Sequence, residues 1–209
     1  PMDPDIHSST SPSVRCSETK SSTAPPVRRT AAKSAPVVVP LSETTRDIIK
    51  RKTGHVYLTS ADLPEKLSLF NCEDLVDVSA LGQVRNLNLS SCTGVTDVSA
   101  LGTVKNLDLR DCTGVVDVSA LGNVETLNLG GCTGVRDVSA LGSVSKLKLH
   151  ACNGVTDVSA LGRVRKLNLS GCTGVVDVSA LGGVRKLILA GCTGVVDVSA
   201  LGRVEELNL

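Results

Sequence analysis

The chain has 209 residues, with 22 lysines and arginines against 21 aspartates and glutamates and a formal net charge of +1. That balance gives no general attraction to nucleic acid or to anionic membranes, and no apolar run approaches the about 20 residues a membrane-spanning helix needs. Aromatic residues make up only 1% of the chain, so a core must be aliphatic and aromatic platforms for stacking bases are missing.

Residues 1–41 are rich in Ser, Thr, Pro and Ala, with scattered charges at Arg15, Lys20, Arg28, Arg29 and Lys33. They offer little to bury and read as a disordered tail. Thr10-Ser11-Pro12 and Arg28-Arg29-Thr30 match short phosphorylation patterns that a solvated linker also carries by chance. No basic-then-apolar signal peptide is visible. The start at Pro1-Met2 and the end at Leu209, partway through a repeat, read as a fragment or an incomplete reading frame.

Residues 42–66 differ from both neighbours. Ser42 is placed to cap a short helix through Glu43-Thr-Thr-Arg-Asp-Ile-Ile-Lys-Arg-Lys52, with Gly54 as its stop. Ile48 and Ile49 would then lie against whatever follows, which makes this segment an N-terminal cap.

From Leu67 to the end a unit of twenty residues recurs, marked by Cys72, Cys92, Cys112, Cys132, Cys152, Cys172 and Cys192. One copy reads Val84-Arg-Asn-Leu87-Asn-Leu89-Ser-Ser-Cys92-Thr-Gly-Val95-Thr-Asp97-Val98-Ser-Ala-Leu101-Gly102-Thr103. The alternation of Leu87 and Leu89 has period two, so both point inward on a short strand while Asn88 points out. Strands one period apart run in the same direction, and eight are expected, centred on residues 68, 88, 108, 128, 148, 168, 188 and 208. Gly94 is expected to supply a backbone conformation costly for other residues. The spacing from Val98 to Leu101 suits one helical turn ended by Gly102. Twenty residues leave no room for a full helix, so the far side should consist of short 3₁₀ or irregular turns. A single copy cannot bury a core alone, which makes a stacked array obligatory.

The pattern Val84-x-x-Leu87-x-Leu89-x-x-Cys92 resembles the leucine-rich-repeat signature in its cysteine variant, and Val95-Thr-Asp97-Val-Ser-Ala-Leu101 is similar to a segment of internalin-type repeats. The resemblance covers about residues 67–209. It implies an α/β-type repeat solenoid, a horseshoe with a parallel sheet on its concave face, short turns on its convex face, and protein–protein recognition. It brings no catalytic residues.

Two ladders weigh toward scaffold. The equivalent cysteines read as small buried thiols whose weak S–H meets a backbone carbonyl. No histidine or second cysteine completes a metal-ligand set. The aspartates Asp77, Asp97, Asp117, Asp137, Asp157, Asp177 and Asp197 read as local caps accepting N–H groups from the following turn, in preference to a calcium strip.

Variation falls both on the outward strand positions and on the convex turns, although the convex words Asp-Val-Ser-Ala-Leu-Gly stay fixed. Arg110, Lys146, Lys148, His150, Arg165, Lys166, Arg185 and Lys186 make the later strands basic and are the candidate partner-binding residues. A solvated solubility face is the competing account. The three histidines stand far apart in sequence, and no nucleophile–base pair or phosphate-cradling loop can be read, so no enzyme and no cofactor is expected. The expected function is a protein-interaction module with a partner that is acidic at its contact surface. A structural array without a ligand and an adapter of a larger protein are the alternatives. Free buried thiols and the missing signal peptide point to the cytoplasm, and the oligomeric state stays open.

Overall fold

The computed structural model describes residues 38–209. The expected tail therefore lies outside the described residues except for its last few. There, Pro40 bridges Thr59 in antiparallel fashion, Leu41 donates its N–H to Leu58 O at 3.1 Å, and the Leu41 side chain is buried.

A helix, α1 (Glu43–Thr53), follows. Ser42 Oγ accepts the N–H of Thr45, and Gly54, at φ 75°, closes the helix by donating its N–H to Lys50 O. Ile48 and Ile49 are buried in the same apolar cluster as the first coil. Thr45 Oγ1 donates to Asp77 O at 2.9 Å, and Lys52 Nζ donates to Phe70 O at 2.9 Å while standing 4.7 Å from the Phe70 ring centroid. The helix thus supplies the neighbour that the first coil lacks.

Eight three-residue strands then form one parallel sheet in sequential order: β1 (Lys66–Ser68), β2 (Asn86–Asn88), β3 (Asn106–Asp108), β4 (Thr126–Asn128), β5 (Lys146–Lys148), β6 (Lys166–Asn168), β7 (Lys186–Ile188) and β8 (Glu206–Asn208). Register is fixed at one full repeat, Leu87 opposite Leu107 and Leu127 opposite Leu147. The strands are centred one residue before the expected positions. Coil-to-coil hydrogen bonds nevertheless continue past them, as Leu89 N–H to Asp108 O at 2.8 Å and Ser91 N–H to Arg110 O at 2.7 Å.

On the opposite side each coil carries a short 3₁₀ turn, Ser99–Thr103 in the unit above. The turn runs through Gly102, which does not end it. A Cβ on Gly102 would strike Ala120 O of the next coil. Gly94 differs from expectation in the same way. Its φ is not left-handed; a Cβ there would lie 2.5 Å from Glu73 O and 2.9 Å from Leu75 O. The left-handed residue is three places earlier, at Asn71, Ser91, Asp111, Gly131, Ala151, Gly171 and Gly191. Both glycines are needed for space between coils.

One aliphatic cluster runs without interruption from Leu41 to Leu201. No helix of the described residues is long and apolar enough to cross a membrane.

Candidate functional site

The outward residues of six strands, β2 through β7, line one depression of about 500 Å³. The sheet is therefore the concave face. Its floor divides by chemistry. Over β2–β4 it is amide and hydroxyl with one carboxylate, Asp108: Asn106 Nδ2 donates to Asn86 Oδ1 at 2.6 Å, and Asn128 Nδ2 donates to Asp108 Oδ1 at 3.1 Å. Over β5–β7 it carries Lys146, Lys148, Lys166 and Lys186.

The last outward residue of four of the eight strands has a scaffold duty. Its side-chain oxygen accepts the N–H two residues on and pins the chain as it leaves the sheet, a local Asx turn. Asn88 holds Ser90 N–H at 2.9 Å, Asp108 holds Arg110 N–H at 3.0 Å, Asn128 holds Gly130 N–H at 3.2 Å and Asn168 holds Ser170 N–H at 2.9 Å. Lysine has no acceptor, so Lys148 cannot do this for His150. Sequence reasoning placed these residues outward but missed the duty, whose signal was an Asx residue recurring at one register.

Of the sequence-derived candidates, the structure brings Lys146, Lys148, Lys166 and Lys186 into the groove. Arg165 and Arg185 precede β6 and β7 and do not line it. They stand in an outer row of charges where partners lie one repeat apart: Arg85 with Glu65 at 3.2 Å, Lys105 with Glu125 at 3.0 Å and Arg185 with Glu205 at 2.6 Å. Opposite charges twenty residues apart were the available signal. Lys186 is paired with Glu206. Arg110 sits beyond β3, 3.7 Å from Asp111, and the His150 ring lies over the bare backbone of Gly130. Among the described residues Lys146, Lys148, Arg165 and Lys166 have no ion-pair partner within 4.0 Å.

The cysteine ladder is buried and the thiols are free. Cys92, Cys112, Cys132, Cys152, Cys172 and Cys192 each donate S–H to a leucine carbonyl of the preceding coil, at 2.9–3.0 Å. Burial pushes Cys112 and Cys152 up to about 12, which keeps them protonated and poor nucleophiles. Each aspartate of the second ladder accepts a serine N–H two residues on, as Asp97 from Ser99 at 2.9 Å, and that bond holds its carboxyl below the usual range. No three ligand-type side chains among the described residues are grouped to hold a metal.

No protein-family model matches the chain, and no curated protein matches it. Solved structures do. An internalin, InlF, from Listeria monocytogenes superposes with a TM-score of 0.56 at 21% identity over 79% of this chain, which spans 53% of that one. Internalin C2 from the same organism superposes with a TM-score of 0.53 at 21% identity, over 85% of this chain and 100% of that one. The fold is a leucine-rich-repeat solenoid. The chain covers about half the length of InlF, and at this identity the likeness carries the architecture alone. Within the leucine-rich repeat the leucines, cysteines and aspartates are scaffold.

Proposed function

We propose that this leucine-rich-repeat array is a non-catalytic interaction module that binds an acidic protein surface in its concave groove, over β5 and β6. One observation carries the reading: Lys146, Lys148 and Lys166 stand together on the groove floor without an intramolecular counter-ion, whereas most cations elsewhere on the sheet side are matched one repeat away. Unmatched like charges on adjacent strands repel, a cost that a solubility face has no reason to concentrate in its concavity. Lysine at position 148 also forgoes the turn-pinning bond made by Asn88, Asp108, Asn128 and Asn168. Arg165, beside the groove mouth, adds to the attractive field. The free buried thiols fit a reducing compartment such as the cytoplasm.

The test compares affinity capture by the wild-type chain and by a variant with Lys146, Lys148, Lys166 and Lys186 changed to Glu. Captured proteins should be lost from the variant while its thermal unfolding stays cooperative, and capture by the wild type should weaken with added salt. Identical capture by both would refute the reading.

A further inference from the structure

We propose that the groove seats a phosphoryl group borne on a side chain of the partner, held by Lys146, Lys148, Lys166 and Asn168. This rests on the reading that the concave face binds an acidic partner, and it names the acid.

The register sets the geometry. Lys146 lies opposite Lys166, and Lys148 opposite Asn168. Neighbouring strands are about 4.8 Å apart, and alternate residues along a strand about 6.6 Å apart. The four side chains therefore rise from the corners of a rectangle of about 5 by 7 Å. Three ammonium groups on long stems can close on one point above it. A carboxylate offers one charge and two oxygens there, whereas a phosphorylated side chain offers close to two charges and three oxygens. Acidic residues of an extended peptide would lie in a line about 7 Å apart, which suits a row of cations better than a cluster.

The fourth corner is also a donor. Asn168 Oδ1 is occupied by Ser170, which donates its N–H at 2.9 Å and its Oγ–H at 2.6 Å. That leaves the Asn168 amide N–H groups for the groove. Lysine supplies only donors, so the rectangle presents donors at every corner and no acceptor. The carboxylates whose fields reach it are engaged elsewhere: Glu125 is held by Lys105, and Glu206 by Lys186.

The experiment uses the full chain and three sets of short peptides with random flanks and a central phosphoserine, serine or glutamate. Retention of the phosphoserine set should exceed the other two by about tenfold, the worth of about one charge-assisted hydrogen bond. Lys148→Asn should abolish that preference while raising the thermal midpoint, because the asparagine restores the missing bond to the His150 N–H. Lys66→Gln, on β1 outside the groove lining, should leave the preference intact. Equal retention of the glutamate and phosphoserine sets would overturn the phosphoryl assignment and leave the acidic-partner reading standing. Failure of both sets to bind better than the serine set would overturn both. Inorganic phosphate bound as tightly as the phosphoserine peptides would overturn the peptide as its carrier, and an unchanged preference in Lys148→Asn would overturn the assignment of the phosphoryl group to this rectangle.

Discussion

Cys112 is buried among aliphatic side chains with its S–H committed to Leu89 O at 3.0 Å. Burial raises its ionisation to about 12, that of Cys152 also to about 12 and that of Cys172 to about 11. Unfolded thiols ionise from about pH 8.5. Above that pH only the unfolded chain releases these protons, so stability is complete below about pH 8.5 and declines until the native values are reached. Each such thiol adds about 1.4 kcal/mol per pH unit to the decline. Cys112→Ser should make the slope shallower by that amount between about pH 9 and 11, as read by urea titrations; an unchanged slope would contradict the burial argument. The aspartate ladder sets the acid side. The Ser99 N–H depresses Asp97, and its equivalents are depressed likewise, so their stabilisation is present above about pH 4 and lost as pH falls through the native values. Ala151 is strained at φ 57° where other coils use Gly131, Gly171 and Gly191. A left-handed alanine costs about 1–2 kcal/mol, and glycine's extra unfolded entropy about 0.5–1 kcal/mol. Ala151→Gly should therefore stabilise by up to about 1 kcal/mol in denaturant titration.

At the scale of the element, each coil is a three-residue strand, a left-handed corner, a tight turn and a 3₁₀ turn, and what closes it is the next coil. Gly142 shows this: a Cβ there would lie 2.5 Å from Ala160 O. Gly142→Ala should cost about 1–3 kcal/mol, because two backbones must part. Restoring an Asx turn acts the other way. Lys148→Asn should gain about 0.5–1.5 kcal/mol, one net hydrogen bond, measured as a shift in the urea midpoint; no gain would mean that the bond to the His150 N–H does not form. These cases also divide what was legible in the sequence from what was not. Leu87 and Leu89, the Asp97–Ser99 bond and the burial of Cys92 are readable because they follow from alternation, two-residue reach and constant spacing. The left-handed corner was hidden because Asn71, Ser91, Asp111 and Ala151 fill it alongside glycines. The roles of Gly94 and Gly102 were misread as conformational, since contact with a neighbouring coil leaves no local mark. In the groove, the basic strands were visible. Which cations are free was missed, although opposite charges one repeat apart, such as Arg185 and Glu205, carry that signal.

Across the whole molecule, burial depends on having a coil on both sides. Leu187 is 0% exposed between β6 and β8, whereas Leu207 in β8, with one neighbour, is 39% exposed, and Val196 is 90% exposed. At the other end Leu67 is only 3% exposed, and Ile48 and Ile49 of α1 are buried in the same apolar cluster. An array of this kind behaves as units coupled to their nearest neighbours, so a lesion in the middle should spread outward and fade. Leu147 lies at the centre of β5, opposite Leu127 on one side and Leu167 on the other. Leu147→Asp places a carboxylate in the aliphatic core with no cation to meet it, a cost of several kcal/mol. That exceeds what one coil holds alone, and its neighbours lose the surface they packed against. Amide hydrogen exchange should show protection lost together at Leu127, Leu147 and Leu167 and retained at Ile49 and Leu69, farther along the array. Loss confined to residues 146–148 would mean the coils stabilise themselves. Uniform loss from Ile49 to Leu189 would mean a single cooperative unit in which the groove cannot loosen locally. Graded loss is the outcome in which the groove over β5 and β6 can loosen locally while distant coils stay folded.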